Sequence, residues 1–136
     1  MTATVLLRLA ALTGDGRYRV AADGALATAG PFLARYPTGF AQWLCALELA
    51  HATVTEVAIV GDVADEGTRR LLDVARRGYH PMRVLALSAT PDASAVPLLH
   101  HRFRLHGRPT GFVCRHFACR QPVHEPEALE ALLVGT

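Results

Sequence analysis

Apolar positions recur with a helical period over the early part of the chain and as short unbroken runs over the remainder. Residues 3–51 carry only the helical signal. Val5, Leu6, Leu9 and Leu12 follow the i, i+1, i+4, i+7 spacing of a helix, while Leu7 and Ala10 make the same helix apolar on other sides. Thr13-Gly14 supplies a stop, because glycine suits the left-handed position just past a helix end. Asp15 is placed to cap a second helix with Tyr18, Ala21, Ala22, Ala25, Leu26 and Ala29 on one side. Tyr36-Pro37-Thr38 breaks that pattern. Phe40, Trp43, Leu44 and Leu47 then mark a third helix with a clear apolar face.

From residue 55 onward, strand and helix signals alternate. Glu56-Val57-Ala58-Ile59-Val60-Gly61 reads as a buried strand ending in a turn. Asp65 can cap a helix with Leu71, Leu72 and Ala75 inward and Arg69, Arg70, Asp73, Arg76 and Arg77 outward, ended by Gly78. Residues 82–87 and 111–114 form two further strand-like runs. They are separated by an irregular stretch, 88–109, that holds Pro91, Pro97 and Pro109. Pro126 at a first helical position, flanked by Glu125 and Glu127, starts a last helix with Leu129, Leu132 and Leu133 as its buried stripe.

The expected architecture is α/β: N-terminal helices over residues 1–52 packed on a small, mainly parallel, three-stranded unit over residues 53–136. Trp43 and Phe40 are expected at the junction. A first helix that is apolar nearly all round calls for neighbours on more than one side. Only two other helices lie near it in the chain. The N-terminal helices therefore read as part of a larger helical assembly, with an apolar patch around Val5, Leu6, Leu9 and Leu12.

At 136 residues, 51% hydrophobic and 19% charged, the chain has the size and composition of a folded domain. All 14 basic residues are Arg, there is no Lys or Asn, and Ile59 is the sole isoleucine, a pattern of strong GC bias. With 12 acidic residues the net charge is only +2, below what a nucleic-acid binder concentrates on one stripe. The arginine pairs at 69–70 and 76–77 read as a solvated helix face. A denser cluster of His100, His101, Arg102, Arg104, His106 and Arg108, with Arg115, His116 and Arg120, is the less favoured candidate for an anion-binding surface. No apolar run approaches the roughly 20 residues of a membrane span, and the N-terminal run, broken by Arg8, lacks the charged start of a signal peptide. Three cysteines, an odd number, do not suggest a secreted disulfide framework, so a cytoplasmic location is expected.

The chemistry candidates converge on Cys114, His116 and Cys119. They read in three ways: a pair of buried structural thiols, which is preferred, a redox pair, or a zinc site completed by His106, His116 and His124. Five fully extended steps would hold the two Cα atoms roughly 17 Å apart, against a bridgeable limit of about 7 Å. A disulfide therefore requires residues 115–118 to fold back as a turn. Elsewhere the structural readings win. Gly61 serves a tight turn without a dinucleotide fingerprint, and Asp62, Asp65, Glu125 and Glu127 sit where helix caps are expected. Ser88 and Ser94 lack a nucleophile-elbow context. His51, His80, His100 and His101 have no partner at a catalytic spacing. No catalytic residue, metal ligand or cofactor is assigned.

Five blocks in order make the chain recognisable. They are Leu6 through Tyr18, Tyr36-Pro37-Thr38-Gly39-Phe40, Glu56 through Gly61, Val96-Pro97-Leu98-Leu99, and Gly111-Phe112-Val113-Cys114 through Cys119-Arg120-Gln121-Pro122-Val123. In these the chain resembles the C-terminal end of the spermatogenesis-associated, thioredoxin-like-domain protein family, and the Cys-containing block is the most specific. The resemblance implies long proteins with an N-terminal thioredoxin-like domain followed by a six-hairpin, glycosidase-like helical toroid. On that basis residues 1–52 correspond to the last hairpins of the toroid. The thioredoxin-like region and most of the toroid have no counterpart here, so no active-site group carries over to any residue of this chain. The expected function is a non-catalytic structural module of such a protein, with a link to carbohydrate metabolism for the family as a whole. A small redox or zinc-binding module is the alternative. The expected partners are the upstream helical and thioredoxin-like region or a second copy, with neither nucleic acid nor membrane.

Overall fold

The structure, a computed structural model, describes residues 2–135. Three helices, α1 (Thr2–Thr13), α2 (Gly16–Arg35) and α3 (Ala41–His51), precede an alternating region of β1 (Thr55–Val60), α4 (Glu66–Arg76), β2 (Arg83–Ser88), β3 (Thr110–Arg115), β4 (Ala118–Cys119) and α5 (Pro126–Val134). The local signals act where the sequence places them. Gly14 leaves α1 at φ +70°, Asp15 caps α2 through the Arg17 N–H, and Asp65 caps α4 through the Gly67 N–H at 2.8 Å.

The sheet order is β2-β1-β3-β4. Only β1 and β2 run parallel; β3 is antiparallel to β1 and β4 antiparallel to β3. The α/β class is as expected, but the mainly parallel, three-stranded sheet is not. The reason lies in residues 89–109. That segment leaves β2 at Ser88 and enters β3 at Thr110, and both residues are in register with Val60 at the same end of the sheet. A connection that starts and finishes at one end reverses the strand. A parallel entry would need a crossover to the other end, usually a helix, and this segment forms only short 3₁₀ turns.

Strand β1 is buried on both faces, with Val57, Ala58 and Ile59 fully inaccessible. On one face Val57, Ile59 and Val113 meet Leu71, Leu72, Val74 and Ala75 of α4 and Leu129 and Leu133 of α5. On the other, Ala58, Val60, Phe112 and Cys114 meet Leu98 and Leu99 from the 3₁₀ turn Pro97–Leu99, together with Ala11 and Leu12 of α1. The irregular segment is thus a wall of the core. A third cluster joins Ala3 and Leu7 of α1, Ala22 and Leu26 of α2, and Ala46, Leu49 and Ala50 of α3, and Val54 packs against both this cluster and the sheet.

Helix α1 is therefore central, with two helices on some sides and the sheet on another. This corrects the reading that only two helices serve it, and it leaves Val5 as the exposed member of the expected patch while Leu6, Leu9 and Leu12 are half-buried. The junction also differs from expectation. Ala11, Leu12 and Val54 form it, while Trp43 packs within the helical layer. Phe40 stacks instead on Phe32, ring centroids 5.9 Å apart.

Leu98 is fully buried although it lies in an irregular segment. Leu98→Ala is expected to cost about 2–5 kcal/mol in urea unfolding. Val20→Ala, at a position that is 72% exposed, is expected to stay within about 0.5 kcal/mol.

Candidate functional site

Cys114 ends the buried part of β3, and the chain then turns back within two residues. His116 and Phe117 occupy the turn with φ of +50° and +63°. Two successive left-handed residues are the geometry of a type I′ hairpin, which normally selects Asn-Gly. Placing side chains there costs about 1–2 kcal/mol per residue, and such a turn persists when its surroundings hold it.

Three contacts do so. The turn brings Cys119 into register with Cys114, Cα atoms 3.9 Å apart, and the two sulfurs are bonded. The Phe117 N–H donates to Glu56 Oε2 at 2.8 Å. The Phe117 ring lies over Gly14, where a Cβ would sit 3.2 Å from the ring edge. Gly14 is thus required twice, by its positive φ and by this close approach.

The bond overturns the preferred reading of Cys114 and Cys119 as free buried thiols. The condition set by chain geometry, a fold-back at residues 115–118, is met by the turn. Cys114 is 1% exposed, as a strand residue of the core should be, but Cys119 is exposed and not packed under a loop. Cys45, exposed on α3, is the free thiol. Both sulfurs being bonded, neither is a thiolate ligand, and among the described residues no group of three His, Cys, Asp or Glu side chains is arranged to hold a metal. His116 sits on the turn, whereas His106 and His124 pair edge-on with each other at 6.2 Å.

Glu56 and Arg102 complete the site. Glu56 faces Cys114 across the β1–β3 pairing and is 4% exposed. Burial pushes its carboxyl above the ordinary carboxylate range, opposed by the Phe117 N–H and by the charges of His116 and Arg102. It lines a cleft of about 320 Å³ between α1 and the sheet, with Gly14, His116 and Phe117. Arg102 reaches from the irregular segment to place Nη2 3.0 Å from Cys119 Sγ and 3.5 Å from Cys114 Sγ. Its Nη1 donates to the His100 carbonyl, and its Nε is buried without an acceptor.

The remaining candidates disperse. Arg104 faces Asp65 at 3.6 Å, Arg108 pairs with Glu125, Arg120 donates to the Gly135 carbonyl at 3.4 Å, and His100 is bonded to the Ser94 carbonyl. The basic cluster is therefore not one anion surface. Asp62 accepts the Ala64 N–H in its own turn. Glu56 and Phe117 were not singled out from sequence, and Arg102 was named only as part of the basic cluster. Glu56 alone carried a usable signal, since it shares the strand phase of the buried Ala58 and Val60.

Over an alignment of 132 residues, 94% of this chain, the sequence is 28% identical to spermatogenesis-associated protein 20 of Homo sapiens and of Rattus norvegicus. It is 26% identical to the protein of the same name from Mus musculus. This chain is similar to a stretch of these spermatogenesis-associated proteins. It spans 17% of the length of those relatives. No protein-family model matches the chain, and no solved structure does. Among the described residues no helix is long and apolar enough to cross a membrane.

The raised Glu56 pKa has a signed consequence. Between the ordinary value of 4.5 and the higher folded value, the folded chain keeps a proton that the unfolded chain has lost. The Glu56 contribution to stability therefore falls as pH rises through that window. Glu56→Gln keeps an oxygen for the Phe117 N–H and removes the titration. Its stability relative to wild type should rise from about pH 4 to about pH 7, read by urea unfolding at both; a difference that does not change would refute the assignment.

Proposed function

We propose that this chain works as a non-catalytic structural module of a larger spermatogenesis-associated protein, its helical layer packing against further helices of that protein. The observation that carries this reading is an apolar groove on α2 and α3. Ala25, Thr28, Ala29, Phe32, Phe40 and Trp43 line about 450 Å³ there, and Phe32 is 51% exposed. An aromatic groove of this kind suits a helix face better than water. In this reading residues 1–52 are the end of a helical toroid, residues 53–136 are the α/β unit that seals it, and the chain is cytoplasmic. The link to carbohydrate metabolism, and the thioredoxin-like region, belong to the larger protein and to residues outside this chain.

Support for the non-catalytic part of the proposal comes from three of the four carboxylates considered for sugar chemistry, which are engaged locally: Asp62 in its turn, Asp65 as a cap, and Glu125 with Arg108.

The test is association. Supplying the upstream helical region of a relative in trans should raise the unfolding temperature of this chain and quench binding of an apolar dye. Phe32→Glu should abolish both effects while leaving the far-UV circular dichroism unchanged. A dye-silent monomer, indifferent to those helices, would overturn the reading, as would pairing only with a second copy of itself. The chain alone should show no turnover on glycosides, and measurable hydrolysis would overturn the non-catalytic assignment.

A further inference from the structure

The Cys114–Cys119 pair is unlike a bond that only fastens a fold. One sulfur belongs to an exposed residue and the other to a residue 1% exposed. A guanidinium lies within 3.5 Å of both. The bond closes a turn whose two residues, His116 and Phe117, are held left-handed. The same turn carries the Phe117 ring that lies over Gly14 at the end of α1.

We infer that Cys114–Cys119 is a thiol–disulfide exchange site that reacts stoichiometrically, without turnover, with a small thiol, and that Cys119 is the attacked sulfur. The incoming thiolate bonds to Cys119 Sγ, the Cys114–Cys119 bond breaks, and its electron pair leaves with Cys114 as a thiolate. A second thiolate attacks the sulfur of the bound small thiol and forms its disulfide, and Cys119 leaves as a thiolate. The two protons lost by the small thiols pass to water, with which the protein thiolates exchange protons, and Arg102 favours the thiolate form of the reduced pair. The pair gains two electrons and two small thiols lose them.

The roles follow from position. Exchange requires access to the attacked sulfur and a stabilised leaving thiolate. Cys119 has the access. Arg102 faces both sulfurs, and a nearby cation favours a thiolate, so it is a positioning and charge-stabilising residue for each departure. Glu56 holds the Phe117 N–H throughout and tethers the turn to β1 while the bond is open. Because Phe117 lies against Gly14, the redox state of the pair reaches the contact between the helical layer and the sheet.

The experiment uses the full chain with Cys45→Ser, which removes the remaining exposed thiol, equilibrated in glutathione buffers and read by mass spectrometry after acid quenching. The native protein should interconvert between disulfide and dithiol. With Cys114→Ser the glutathione adduct should form on Cys119. With Cys119→Ser the buried Cys114 should stay unmodified until denaturant is added. Arg102→Gln should shift the midpoint about tenfold toward the disulfide, the effect of one pKa unit on the thiolates, and Arg102→Lys should restore it. Circular dichroism guards against an unfolded variant, and the wild-type exchange stands without any variant. A bond that glutathione reduces only in denaturant overturns the proposal. An adduct on native Cys114, or a midpoint indifferent to the charge at residue 102, overturns the assigned roles.

Discussion

Antiparallel pairing of β1 with β3 sets Glu56 directly across from Cys114, and the turn is organised around that pairing. A carboxylate taken out of water must find donors or give up its charge. The donor it finds is the Phe117 N–H, available because the chain reverses within two residues after β3. A hydrogen bond to a charged group is worth about 1.5–3 kcal/mol. That is comparable to the cost of holding His116 and Phe117 left-handed. The buried acid and the strained turn therefore stabilise each other, and the bond between Cys114 and Cys119 closes the arrangement from its far side.

The pairing has consequences beyond the turn. It makes β1 an internal strand with neighbours on both edges and side chains buried on both faces. Each face then needs a cover. Helices α4 and α5 supply one with their apolar stripes. The other is covered by two unlike pieces, a 3₁₀ turn bearing Leu98 and Leu99 and the end of α1. Helix α1 is shared between sheet and helices, and Val54 touches both clusters. The helical layer and the α/β unit consequently act on each other through α1, and the Cys-containing turn rests on the residue that ends it.

The two ends of the molecule differ in kind. At the turn, every contact is specific: a sulfur pair, a guanidinium, a carboxylate and a ring against a glycine. On α2 and α3, Phe32, Phe40 and Trp43 form an apolar groove with little polar character. Specific, strained contacts suit a chemical role, whereas an adaptable aromatic groove suits packing against another helix face. One chain carries both, and α1 contributes to the helical cluster and to the sheet cluster alike.

Much of the local structure was written in local residues. Helix periods, the caps at Asp15 and Asp65, the stop at Gly14 and the strand runs depend on neighbours a few positions away, and they appear where the residues put them. Strand direction was another matter. Nothing in residues 110–115 says which way they run; the closure of residues 89–109 at one end of the sheet decides it. The same holds for the site. The spacing of Cys114 and Cys119 permitted a bond only through a turn, and His-Phe is a poor turn sequence by local preference. The turn exists because Glu56, 61 positions earlier in the chain than Phe117, and Gly14 on another layer hold it. Local propensity is a short-range energy of about 1 kcal/mol per residue. A buried carboxylate and a disulfide outweigh it, and which residues meet across the fold is information that only the tertiary structure contains.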